Sequence, residues 1–145
     1  MNDRSLDSVY LPLKIAFGIV PLVAGLDKFT NVLTDWSRYL NPTLAGLLPF
    51  SPAVFMMIVG VIEAAVGLAI LTKFTRLGAY VAMAWLVLIS LNLMLAGMLD
   101  IAVRDLVMAV GAYSLGTLAG IKGLAWLPWR QRESEVLNRH ATAVR

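Results

Sequence analysis

Hydrophobic positions fall into four long blocks, at residues 9–28, 52–72, 77–99 and 101–122, with most polar residues gathered in the gaps. The first block is interrupted, up to Leu26, only by Lys14 and two prolines, Pro12 and Pro21. The second holds Glu63 as its single charge, and the third holds none, with Ser90 and Asn92 as its polar side chains. The fourth carries Arg104 and Asp105 in its first turn and is then uncharged to Ile121. Each block is close to the ~20 residues that take an α-helix across a ~30 Å hydrocarbon layer. Backbone polar groups cannot go unpaired in lipid, so the blocks predict helices and not the alternating strands of a barrel. The expected fold is an all-α integral membrane protein, a four-span antiparallel bundle.

The connections are uneven. About 25 residues separate the first two spans, which is long for a helix–helix loop. Its Trp36, Tyr39, Leu40, Leu44, Leu47 and Leu48 are too apolar for a loose linker. A short amphipathic helix around residues 35–39, followed by a segment in the interface and ended by Pro49 and Pro52, fits this pattern. The other connections, at 72–76 and around Asp100, are tight and force antiparallel neighbours. The prolines are expected near the start of the first helix and at a bend within it. Asp3 and Asp7, where a leader would be basic, and Lys14, inside what would be its apolar core, favour a retained span over a cleavable signal peptide.

Composition agrees with lipid as solvent. The 145 residues are 59% hydrophobic and 14% charged, with a mean hydropathy of +0.78. One core of this size cannot hide so much apolar surface from water. The chain has no Cys, which excludes disulfides, thiol relays, iron–sulfur clusters and thiolate zinc sites. The single His, His140, stands beyond the apolar blocks, which argues against a buried His-ligated haem. No metal-ligand spacing or phosphate-cradling glycine loop is present.

The net charge of +3 is unevenly placed. Arg4, Lys14, Lys73, Arg76, Lys122, Arg130, Arg132, Arg139 and Arg145 fall to one side of the predicted bundle, and Lys28, Arg38 and Arg104 to the other. Nine against three places both termini in the cytoplasm by the positive-inside rule. A basic stretch beside a span reads as a topology signal and anionic-lipid contact, not as a nucleic-acid site. Residues 1–125 then form the membrane domain and 126–145 a basic cytoplasmic tail, with Trp126 and Trp129 at headgroup level. Small residues at Gly60, Ala64 and Gly67, and at Ala112, Gly116 and Gly120, offer faces for close helix packing.

Candidate chemistry gathers on the non-cytoplasmic side, where Asp27, Lys28, Asp35, Arg38, Asp100, Arg104 and Asp105 nearly neutralise one another. Glu63 lies deeper, roughly 12–16 Å from either end of its helix at 1.5 Å per residue. An ionised carboxylate there costs at least several kcal/mol unless it is paired or protonated. Lys28, Arg104 and Lys14 are its cationic candidates. Arg104 is preferred, since its fork can bind a carboxylate with two hydrogen bonds, and Asn92 is a further donor. Three readings of Glu63 stay open: a pair that fixes helix register, a proton-carrying or ligand-anchoring carboxylate, and a contact with a partner subunit. Phe29, Trp36, Tyr39 and Phe50 cluster around the same mouth, as an aromatic belt or as the wall of a site for a flat hydrophobic ligand.

The succession of Gly18, Pro21-Leu22-Val23-Ala24-Gly25-Leu26-Asp27-Lys28-Phe29, Gly60-Val61-Ile62-Glu63 with Gly67-Leu68, Arg76-Leu77-Gly78-Ala79, and Asp100 with Arg104-Asp105-Leu106 resembles the DoxX/DoxD-like family of four-span membrane proteins. The likeness extends to about Ile121, with Lys14 where the family often has Arg. The resemblance implies a bacterial or archaeal inner-membrane subunit associated with quinone-linked oxidoreductases or stress-handling membrane complexes. On that basis the expected role is an accessory, anchoring or quinone-contacting subunit, not an enzyme alone. Its partners would be the lipid bilayer and other redox-complex subunits or further copies of itself. No cofactor is expected to be held covalently, so a free quinone or a partner would carry the redox centre. The alternative is a stand-alone small-molecule or proton pathway built on a Glu63–Arg104 site.

Overall fold

Five α-helices and one 3-10 turn make up residues 3–127, the part of the chain that the computed structural model describes. They are α1 (Asp3–Asp27), the 3-10 turn Trp36–Tyr39, α2 (Pro42–Leu47), α3 (Pro52–Leu71), α4 (Thr75–Leu95) and α5 (Leu99–Ile121). Four of these, α1, α3, α4 and α5, are long and apolar enough to cross a membrane, and no strand occurs among the described residues. The molecule is an all-helical, multi-pass membrane protein with a short extra helix between its first two spans. The expected tail falls, from residue 128 onward, outside the described residues, as does Trp129.

Local chemistry sets the ends of each span. Ser51 caps α3, its hydroxyl accepting from the Val54 amide at 3.4 Å, and Pro52 supplies a first residue that needs no amide partner. At the α3–α4 turn the buried Thr75 hydroxyl donates to the Ile70 carbonyl at 2.7 Å, so the last carbonyls of α3 are satisfied by the first residue of α4. The third predicted span, 77–99, is too long at its far end. α4 stops at Leu95 because Gly97 takes a φ of +78°, a left-handed position that glycine fills without strain. The Gly97 and Met98 amides close the turn on the Met94 and Leu93 carbonyls at 3.1 and 2.9 Å. Asp100, expected in the turn itself, instead lies in the first turn of α5, where its charge suits the positive end of the helix dipole. The first helix starts at Asp3, so Pro12 stands well inside α1 together with Pro21 and not near its start.

Two tight pairs build the bundle. α1 packs on α3 and α4 on α5, with α3–α4 and α1–α5 contacts joining the pairs. The α1–α3 seam runs backbone to backbone. A Cβ on Gly60 would lie 2.5 Å from the Gly25 carbonyl oxygen, and one on Gly67 would lie 2.6 Å from that of Gly18. Only hydrogen fits at such points. The α4–α5 pair closes differently, because large side chains of α4 fill the space left by small residues of α5. Gly116 lies under the Tyr80 ring and Gly120 under the Arg76 guanidinium, while the buried Ser90 hydroxyl donates to the Ala102 carbonyl at 2.8 Å.

The apolar core occupies one half of the bundle. Tyr10, Ile70, Ala79, Ala82, Ala112, Leu115 and Ala119 are buried together there, with Phe17, Met83 and Leu86 packed around them. An ion pair between Asp7 and Lys122 ties the start of α1 to the residue after α5, so the chain enters and leaves the bundle at the same end. Lys14, from α1, donates to the Thr72 carbonyl in the α3–α4 turn at 3.4 Å, which places that turn at this end too. The opposite end holds the long connection between α1 and α3 and the α4–α5 turn. Most of the polar burial is found there.

Candidate functional site

Close packing of α1 on α3 dictates what happens where α1 stops. Lys28 follows the last residue of α1, and the Gly25–Gly60 contact holds that end of the helix directly against α3. A Cβ on Gly25 would be 3.2 Å from the Glu63 Cβ, and one on Gly60 would be 3.0 Å from the Lys28 Cβ. Lys28 therefore reaches Glu63 along the seam. Its Nζ donates to the Glu63 Oε2 at 2.6 Å, with Lys28 only 4% and Glu63 8% exposed.

Trp36 covers this pair. The Lys28 Nζ lies 3.7 Å from the centroid of the Trp36 ring, within cation–π range. The edge of the same ring is used as well, since the indole Nε1 donates to the Asp27 Oδ2 at 2.8 Å. Asp27 is buried at the C-terminal end of α1, where the helix dipole disfavours a negative charge. Several donors offset that cost. The Thr30 hydroxyl and the Val32 amide donate to Oδ1 at 3.0 Å each, and the Leu33 amide reaches both carboxylate oxygens at 3.1–3.2 Å. The Asp27 carboxylate thus folds the chain back over the end of α1 and delivers Trp36 onto Lys28.

The far end of the connection is held from α4. Asn92 donates from Nδ2 to the Tyr39 carbonyl at 2.8 Å and accepts from the Asn41 amide at Oδ1, 3.0 Å away. The Asn41 side chain in turn caps α2 by accepting from Thr43 and Leu44, and Leu40 between them is buried. The expected amphipathic helix at 35–39 is a single 3-10 turn started by Asp35, whose carboxylate accepts from the Ser37 amide at 3.1 Å.

The structure therefore brings Asp27, Lys28, Glu63 and Trp36 into one cluster and corrects the expected pairing of Glu63 with Arg104. Arg104 is exposed on α5. The reason is helix order: α5 packs mainly on α4, whereas α1 and α3 share a glycine seam. Asp105, next to Arg104 on α5, is half-buried. Asn92, expected as a donor to Glu63, spends both ends of its amide on the connection. The aromatic group also divides. Trp36 and Tyr39 are half-buried, their rings 6.2 Å apart, and Arg38 lies over Tyr39 at 5.1 Å, while Phe29 and Phe50 are exposed.

Sequence reasoning missed the roles of Gly18, Gly25 and Asn41. The signal for the glycines was present in their seven-residue spacing on α1, which matches Gly60 and Gly67 on α3. It also missed a second cation–aromatic cluster at the other end. There Arg76 lies 4.3 Å from the Trp126 ring centroid and donates to the Leu124 carbonyl at 3.3 Å, and Trp126 stacks on Tyr80 at 5.0 Å. Among the described residues no three Asp, Glu, His or Cys side chains converge as a metal site. Chemically, the Lys28–Glu63 cluster can hold opposite charges within the membrane and exclude water from them. No protein-family model, curated protein or solved structure matches this chain.

Proposed function

We propose that this chain is a membrane-embedded accessory subunit of a redox complex, anchoring its partners or touching quinone, with the loop-bearing end as its working surface. The observation that carries this reading is the closure of the Lys28–Glu63 pair beneath Trp36. A carboxylate and an ammonium that satisfy each other and are sealed from above suit a scaffold better than a conduit. Around that closed cluster the same end displays Phe29, Val32, Leu33, Leu47 and Phe50 as exposed apolar groups, beside the exposed Arg38, Asp100 and Arg104. Such a mixed, exposed surface is what a partner subunit requires. The resemblance to DoxX/DoxD-like proteins supports the same reading, with an inner-membrane location and cytoplasmic termini.

A quinone would meet a smaller site here than the sequence implies. Lys28 and Trp36 are engaged with each other and Tyr39 lies against Arg38. A quinone head would be left Arg104 as its cationic donor and Phe29 and Phe50 as apolar surface. Quinone would supply the electron-carrying group, and these residues would only bind and orient it.

Purification in mild detergent, with identification of co-purifying proteins and extracted quinone, tests the proposal. Redox subunits or stoichiometric quinone are expected, and both are expected to be lost when Phe29, Phe50 and Arg104 are replaced together by Ala, Ala and Gln. Retention of partners and quinone by that triple variant would overturn the assignment of this surface. The burial of an ionisable pair inside the bundle favours a second reading, a proton pathway centred on Lys28–Glu63 and not on a Glu–Arg pair. That reading predicts proton flux into liposomes holding the purified chain alone, abolished by Glu63→Gln.

A further inference from the structure

We infer that the connection between α1 and α3 is a hinged strap, and that Trp36 is the lid by which it controls aqueous access to the Lys28–Glu63 pair.

The strap touches the bundle at few places. On one side the Asp27 carboxylate holds the Thr30 hydroxyl and the Val32 and Leu33 amides, and beyond them Trp36 meets Asp27 through its indole N–H and Lys28 through its ring face. On the other, Asn92 grips the chain at Tyr39 and Asn41, with Leu40 buried between. Between these attachments the 3-10 turn Trp36–Tyr39 contains no buried residue, and the preceding Val32 and Leu33 are 81% and 64% exposed. Asn31, where the chain reverses after α1, has a φ of +52°, a left-handed conformation that Asn adopts more readily than most residues. A segment with few buried apolar contacts and a small number of polar ties opens at lower free energy than the spans beneath it.

The chemistry of the ties makes the lid responsive to what lies under it. A ring face attracts an ammonium and has no comparable attraction for a neutral amine. The indole N–H likewise bonds a carboxylate more strongly than a neutral acid. Trp36 is thus held down by the charges of Lys28 and Asp27, and by covering them it keeps water from the Lys28–Glu63 bond. Transfer of the proton from Lys28 Nζ to Glu63 Oε2 would leave an amine and a carboxylic acid, with no change in net charge, and would loosen the ring. The pair then meets the water at the loop-bearing end. This inference does not depend on which partner or ligand the surface binds.

The test is the accessibility of the Lys28 amine in the full chain held in lipid nanodiscs. A water-soluble N-hydroxysuccinimide ester of acetic acid is the probe, and peptide mass spectrometry reads each lysine. In the unaltered protein Lys28 is expected to label at least about tenfold more slowly than the exposed Lys73. Trp36→Ala is expected to bring Lys28 close to the Lys73 rate without changing Lys14 labelling or helix content. Asn92→Ala, which cuts the distal attachment and leaves Trp36 in place, is expected to raise Lys28 labelling as well. If Trp36→Ala does not fold, Trp36→Phe replaces it: this change keeps a ring but loses the bond to Asp27, and a faster Lys28 reaction is again expected. Lys28 labelling as fast as Lys73 in the unaltered protein overturns the lid. Protection that persists in the Trp36 variant, or in Asn92→Ala, overturns the strap.

Discussion

At the scale of single residues, the decisive feature is which cation Glu63 meets. Lys28 occupies that place because it leaves α1 on the face closest to α3. Removing one partner of a buried pair strands the other, at a typical cost of about 3–5 kcal/mol. Lys28→Met and Glu63→Gln are each expected to destabilise the protein on that order in detergent micelles, measured by denaturant unfolding. Lys28→Met combined with Glu63→Leu is expected to recover most of the loss, since an apolar pair of similar volume often matches a buried ion pair. Arg104→Ala is expected to change stability by no more than about 0.5 kcal/mol, because its side chain is exposed. This reverses the ranking read from the sequence, where Arg104 is the preferred partner. A stability loss for Arg104→Ala equal to that for Lys28→Met would restore the earlier pairing.

At the scale of elements, the α1–α3 seam carries the site. Gly60 and Gly25 each face the other's backbone, so any side chain there drives two helices apart and separates Lys28 from Glu63. Gly60→Leu is expected to cost more than the about 1–3 kcal/mol typical of overpacking, since backbone cannot move aside as a side chain can. Gly46, in α2, has nothing within 4 Å of its would-be Cβ. Gly46→Ala is expected to stabilise by about 0.4–1 kcal/mol, through the unfolded chain. Thermal unfolding of both variants in one detergent checks the contrast. The small residues on α3 were legible as a packing face before the fold was known. Their partners on α1 were not, because a glycine pattern says which surfaces admit close approach but not which two surfaces meet.

At the scale of the whole molecule, the two ends differ in kind. One is closed by the apolar core, the Asp7–Lys122 pair and the Arg76–Trp126–Tyr80 stack, and it holds Lys14, Lys73 and Arg76. The other is polar within and mixed at its rim, where exposed apolar side chains stand beside Arg38, Asp100 and Arg104. By the positive-inside rule, the Lys and Arg imbalance predicts that the first of these ends faces the cytoplasm. Single cysteines at Ser37 and Lys73 need no further background changes, since the chain has no Cys. They are expected to label from opposite faces of intact membrane vesicles, Ser37 from the non-cytoplasmic side. Labelling of both from one face would refute the four-span arrangement, and exchange of the two sides would refute the orientation.

Four spans, their antiparallel order and the crowding of charge at one end were determined by the sequence alone. Those properties follow from the length of apolar runs and from the cost of unpaired backbone in lipid, which act locally along the chain. Part of the cluster's membership was also legible: the sequence groups Asp27, Lys28 and Glu63 as charges, though together with Arg104, Asp105 and Asn92, and places Trp36 among the aromatic residues of the same mouth. Their pairing was not, because Lys28 and Arg104 are chemically interchangeable as counter-ions until helix neighbours are known. The same holds for Trp36, whose residue type fits an interfacial belt as well as a lid, and for Asn92, whose amide serves either a carboxylate or a loop. Only the tertiary structure chose among these, by bringing α1 against α3 at Gly25 and Gly60 and folding the following loop back around Asp27. The physical reason is that side-chain partners in a bundle are set by interhelical packing over sequence separations such as the 35 residues between Lys28 and Glu63, which no local pattern encodes.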